Sequence, residues 1–139
     1  MFLLDTNVVS ELRKAGSGKA DKRVVAWAQS HPTSAQFVSA ITVLELELGV
    51  LQMERRDAAQ GTILRGWLER HVLPAFLNRV LPVDLAVARR CASLHVPNPQ
   101  SERDGLIAAT ALVHGMPIVT RNAKDFEHTG AVVINPWRL

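Results

Sequence analysis

The chain opens Met1-Phe2-Leu3-Leu4-Asp5-Thr6-Asn7. The apolar run Phe2-Leu3-Leu4 stops at a carboxylate and two small polar residues, and a helical pattern starts directly after them. A short strand that ends this way places an acid at its carboxyl end, which is the edge where open α/β sheets bind ligands. What the domain does then depends on whether other acids reach the same edge.

Outward from that stretch the pattern alternates. Residues 8–13 read as a short helix with Val8, Val9 and Leu12 on one side, followed by a loop holding Gly16 and Gly18. Asp21 caps a helix running to about Ser30, and His31-Pro32 closes it. Residues 36–39 form a second strand that leads into a strong helix over 42–51. Residues 57–78 continue as one long helix or a pair, bent near Pro74, and 80–83 are a third strand whose Pro82 suits a strand end or an edge. Asp84 caps a helix to about His95, and two prolines make 96–100 a loop. A helix over 102–114 ends at Gly115 and Pro117. Residues 118–120 are a fourth strand, 121–127 a turn or short helix, and 131–135 a fifth strand. Short apolar strands separated by helices predict a parallel sheet covered on both faces. The expectation is one doubly wound α/β domain over residues 1–139.

The totals fit that reading. A chain of 139 residues suits one domain, and 47% hydrophobic with 21% charged residues is ordinary for a globular protein. A net charge of +3 permits nucleic-acid binding without demanding it. The lone Cys91 allows no internal disulfide and reads as a small core residue. No stretch approaches the roughly 18 apolar residues of a membrane span, and the start lacks a signal-peptide pattern, so the expected location is the cytoplasm.

Each remaining acid has two readings. Thr42-Val43-Leu44-Glu45 and Ser101-Glu102-Arg103-Asp104 both have capping-box spacing, and Asn122-Ala123-Lys124-Asp125 has a similar form. As caps they would serve only their helices. As ligands they would join Asp5: Glu45 in the first turn after strand two, Asp104 in the first turn before strand four, Asn122 and Asp125 after it. Asp5 itself has no obvious packing duty. Helical projection puts Glu45 on a polar face with Gly49 and Gln52, and Glu47 on the apolar arc of Val43, Val50 and Leu51. Glu47 therefore calls for a partner charge within the chain or at a subunit interface. The helix after Asp104 is apolar nearly all round, so an acid at its buried start must be paired or metal-bound. Clustered carboxylates repel, and a divalent cation removes the conflict; hard oxygen ligands fit Mg²⁺, with Mn²⁺ as substitute, and no His or Cys set has zinc spacing.

At residues 4–11, 39–50, 103–111 and 119–126 the sequence resembles PIN-domain ribonucleases, and among them the VapC/FitB-type toxins, in order and at suitable spacing. The resemblance implies a single PIN-like domain and a metal-dependent endoribonuclease with Asp5, Glu45 and Asp104 as the acidic metal-binding set. Thr6 and Asn7 would orient Asp5 or a metal-bound water, Ser39 and Thr42 would flank the site, and Thr120 would face it. The family's fourth acid often falls where this chain has Asn122, with Asp125 three residues on, so one tightly bound Mg²⁺ is expected. It further implies an RNA substrate, a homodimer that can enlarge with a cognate antitoxin protein, and no membrane partner. Arg121, Lys124 and Arg103 are candidates for contacting RNA; Arg89 and Arg90 read as a solvated face, and Trp27, Trp67 and Trp137 as packing residues. Two other readings stay open: a non-catalytic partner- or nucleic-acid-binding module of the same fold, and a phosphotransferase with Asp5 as nucleophile. The second usually needs another acid at the position held by Asn7.

Overall fold

The computed structural model describes residues 1–139. Five strands run parallel: β1 (Phe2–Leu4), β2 (Gln36–Ser39), β3 (Val80–Leu81), β4 (Ile118–Val119) and β5 (Val133–Ile134). Their order across the sheet is β3-β2-β1-β4-β5. From β1 the chain builds outward in one direction, then returns to add β4 and β5 on the other side. The carboxyl ends of β1 and β4 therefore flank the point where the winding reverses, and a crevice opens there.

The strand pleat sends alternate residues to opposite faces. Leu4, Val38 and Val119 join one core with Val8, Val9, Val24 and Val50. Leu3 and Ile118 join another with Ile107, Ala108, Ala111 and Phe126. Helices cover both faces: α1 (Thr6–Leu12), α2 (Lys22–Gln29) and α3 (Ala40–Arg56), then α4 (Ala58–Trp67), α5 (Leu73–Ala75), α6 (Leu85–Leu94) and α7 (Glu102–His114). No helix is long and apolar enough to cross a membrane.

Several boundaries differ from the sequence expectation for local reasons. Helix α1 begins two residues early, at Thr6, because Asp5 caps it by accepting from the Thr6 amide. The opening acid thus has a structural duty after all. Helix α3 starts at Ala40, capped by the Ser39 hydroxyl, which accepts from Ile41 N at 3.0 Å. Strand β3 stops at Leu81 because Pro82 has no N–H to offer a ladder. The expected long helix over 57–78 is α4 running through a π turn at Leu68–Val72 into α5, with Pro74 inside that last short helix. Helix α4 folds back tightly on α3: a Cβ at Gly61 would lie 2.5 Å from Glu54 Cα. Asp21 and Asp84 cap α2 and α6 as expected, and α7 closes at Gly115 with φ +65°.

Candidate active site at the carboxyl edge

Four acids line one cleft of about 410 Å³ at the switch between β1 and β4: Glu11 of α1, paired with Lys14, and the three the sequence marked. Asp5 comes from the end of β1, Glu45 from α3 and Asp104 from α7. Asn7, Arg121 and Asn122 border the same space. The three carboxylates share the cleft but do not close into a ready-made metal-holding cluster.

Asp5 is the most rigidly held. Its Oδ1 accepts from Thr6 N at 2.8 Å, and its Oδ2 accepts from Thr120 Oγ1 at 2.8 Å and Asn7 Nδ2 at 3.2 Å. Asn7 does more than orient the acid. Its Nδ2 also donates to Thr120 Oγ1 at 3.2 Å, and its Oδ1 accepts from Arg121 N at 3.1 Å. One amide thus joins the ends of β1 and β4. Thr120, fully buried, also accepts from Asn122 N at 3.0 Å, which fixes the loop after β4. Despite these bonds, burial pushes the Asp5 carboxyl above its ordinary range, and the Glu45 and Asp125 carboxylates push the same way.

Glu45 sits in the second turn of α3, because the helix starts at Ala40. The capping box expected of Thr42 and Glu45 does not form. Thr42 is fully buried, its hydroxyl 3.2 Å from that of Thr6, while Thr6 Oγ1 donates to Glu45 Oε1 at 2.7 Å. Glu45 Oε2 faces Arg103 Nη1 at 3.6 Å. Thr6 therefore orients Glu45 through its side chain and Asp5 through its backbone.

Asp104 is the opposite of Asp5. The second expected capping box fails too, since Ser101 makes no side-chain capping bond. Every influence on the Asp104 carboxyl raises its pKa, to about 6: burial first, then Asp125, Asp5 and Glu45. A half-buried acid facing other acids, with no hydrogen bond to steady its charge, carries a repulsion that a cation could relieve. Asp125 itself is exposed and lines the neighbouring groove with Lys124.

The possible ligands are oxygen donors, carboxylates with two amides at Asn7 and Asn122 and no sulfur or imidazole, which fits Mg²⁺ or Mn²⁺ and disfavours zinc. Four cleft residues escaped the sequence reading: Ser10, Glu11, Lys14 and Trp137. The first three follow Asn7 at helical spacing, so the polar side of α1 was a usable signal. Glu11 accepts from Lys14 Nζ at 3.0 Å and from Asp21 N at 2.8 Å. That backbone bond, then Lys14, holds its carboxyl below the ordinary range. Trp137 is buried in the core as expected, and the Arg121 guanidinium lies 5.4 Å over its ring. Glu47 finds its partner within the chain, with Arg65 Nη1 2.6 Å from Oε2 in a poorly aligned ion pair.

Comparison with known proteins places this arrangement among relatives. Residues 2–132 match the family described as PIN domain. The VapC ribonuclease Y4jK of Sinorhizobium fredii is 42% identical over 142 residues, covering 99% of this chain and 98% of that one. Toxin FitB of Neisseria gonorrhoeae is 38% identical over 143 residues, 99% of each. The solved structure of FitAB bound to the IR36 DNA fragment superposes with TM-score 0.89 at 37% identity, over 100% of this chain and 97% of that one.

Proposed function

The chain belongs to the PIN-domain family, and from that premise we propose that it is an endoribonuclease dependent on Mg²⁺, acting as the toxin of a toxin–antitoxin pair. One observation carries the reading: Asp5, Glu45 and Asp104 line a single cleft, and Asp104 has no partner there. Likeness to a VapC ribonuclease and to toxin FitB supports it.

Asp5, Asp104 and Glu45 would hold the ion; when bound, it would lower the pKa of a water and neutralise charge on a phosphodiester. The chain's own part is positioning. Thr120 and Asn7 fix the Oδ2 of Asp5, and Thr6 fixes Glu45, so the ion meets ligands whose rotamers are already set. Asn122 offers an amide where a fourth carboxylate would add charge, which favours one tightly held ion. Asp125 stands outside the cleft but shifts both Asp5 and Asp104, acting on the site through its field.

The test is cleavage of RNA by purified protein with Mg²⁺, with a chelator as control, repeated for Asp5→Ala and Asp104→Ala. Losses of at least about a hundredfold are expected, since removing even an outer support of a metal ligand costs about 10–100-fold. Undiminished cleavage in both variants overturns the assignment. The capping duty of Asp5 favours a second reading, a non-catalytic module of the same fold. That reading predicts no rise in melting temperature with millimolar Mg²⁺.

We extend the proposal to partners: an antitoxin protein, as the likeness to the FitAB complex supports, and a homodimer in the cytoplasm. Glu47 no longer argues for the dimer, because Arg65 engages it internally. Size-exclusion chromatography with and without a coexpressed antitoxin decides both assemblies.

A further inference from the structure

The acid cleft does not end at its acids. It shares Arg121 and Asn122 with two further grooves, one of about 400 Å³ reaching Asp21 and Arg23, the other of about 630 Å³ reaching Lys124, Asp125 and Glu127, and Arg138 borders both. Both lie along the carboxyl edge beyond β4 and β5. Each offers a path for an RNA strand leaving the cleft beside Arg121.

Charge separates the two exits. Toward Lys124, two exposed carboxylates, Asp125 and Glu127, stand without an ion pair and would repel phosphates. With Arg138 common to both, the groove toward Arg23 holds one acid, Asp21, and Arg23 itself pairs with it. Asp21 Oδ1 caps α2 by accepting from Arg23 N and Val24 N, and its Oδ2 lies 3.3 Å from Arg23 Nη2. Arg121 at the junction is held from three sides: its N donates to Asn7, its O accepts from Asn135 Nδ2 at 3.3 Å, and its guanidinium stacks on Trp137. It has no carboxylate partner, so its charge is free for a ligand. The C-terminal turn bearing Arg138 packs against α2, which brings Arg23 and Arg138 to one groove.

Resting on the endoribonuclease reading, we propose that the substrate strand leaves the acid cleft over Arg121 and runs between Arg23 and Arg138, with these arginines binding backbone phosphates next to the one cut. Arg121 turns the strand at the cleft mouth. Arg23 and Arg138 then set how much flanking RNA the protein needs.

The experiment compares wild type with Arg23→Ala/Arg138→Ala on a long unstructured RNA and on a trinucleotide that ends at the cleft. On the long RNA the double variant should raise KM about tenfold with kcat kept, and lower the log–log salt dependence of kcat/KM by about 1.4, near 0.7 per lost single-strand phosphate contact. On the trinucleotide the two proteins should match. Unchanged KM and salt slope on the long RNA overturn the proposal, as does a KM rise for Lys124→Ala as large as that for Arg23→Ala alone, since Arg138 borders both grooves. Absence of RNA cleavage by wild type overturns the endoribonuclease reading itself, which separates the two failures.

Discussion

Two places in this molecule gather three acids, and they treat them oppositely. Between α3 and α4, Glu47, Glu54 and Glu69 surround Arg65, at 2.6, 3.1 and 3.4 Å. The guanidinium gains from all this and holds its proton even more firmly than a free arginine. At the carboxyl edge, Asp5, Glu45 and Asp104 have no such centre; the nearest cation is Arg103, 3.6 Å from Glu45 at the rim. Where acids serve the fold, the chain supplies the neutralising charge. Of the cleft's acids, Glu11 has Lys14, Asp5 and Glu45 have hydrogen bonds, and Asp104 is left bare. The contrast is the reason the proposed function gives the second cluster, and not the first, a ligand from outside.

Exchanging the roles should break the contrast. The largest effect is expected for Asp104→Asn, which keeps the shape and removes the charge. Cleavage should fall by at least about a hundredfold, while the metal-free melting temperature at pH 7 should rise, because a repelled carboxylate is gone. A variant that loses activity and stability together would point to a structural acid.

The pH dependence follows from the same repulsion. Asp104 binds its proton more tightly folded, with pKa about 6, than unfolded, at 3.8. Between those values the native state holds more protons than the unfolded one, so this group's contribution to stability falls as pH rises through about 6. Glu11, lowered from 4.5, acts in the other sense, and its contribution is lost as pH drops below that value. Without metal, the melting temperature should therefore decline from about pH 4.5 to about 6 and level off above it. Millimolar Mg²⁺ should flatten the decline, and calorimetry across that range with and without the ion checks it.

A smaller change is expected at the other cluster. Arg65→Ala should lower the melting temperature, because three acids lose their centre, and added salt should recover part of the loss by screening them. Cleavage per folded molecule should not change. Smallest is Arg103→Ala, whose pair with Glu45 is long and exposed: stability should move by less than about 0.5 kcal/mol in urea titrations.

What the sequence revealed and what it hid follow physical lines. The five strands, their parallel pairing and the caps at Asp21 and Asp84 were legible because each depends on a local pattern. The helix starts near the site were not. Ser39 and Thr42 are three residues apart and either hydroxyl could cap α3; only the contact of Thr42 with Thr6, thirty-six residues away, decides against it. The π turn at Leu68–Val72 leaves no mark that a helical period would show. That Asp5, Glu45 and Asp104 reach one cleft could be expected from their places at strand ends and helix starts, whereas the difference between a fully bonded Asp5 and a bare Asp104 exists only once β4 and α7 are in place.

Asn7 reaches across 113 positions to Thr120, and Arg121 lies 114 from it. That span sets a timetable for synthesis. Until residue 120 leaves the ribosome, β1 has no β4 beside it and Asp5 lacks the hydroxyl that holds its Oδ2. A chain emerging from the N-terminus therefore carries its opening acid for most of its translation without a completed site. Thr120 and Arg121 thus complete the surroundings of the first seven residues, and a chain that stops short of them lacks the hydroxyl that fixes Asp5.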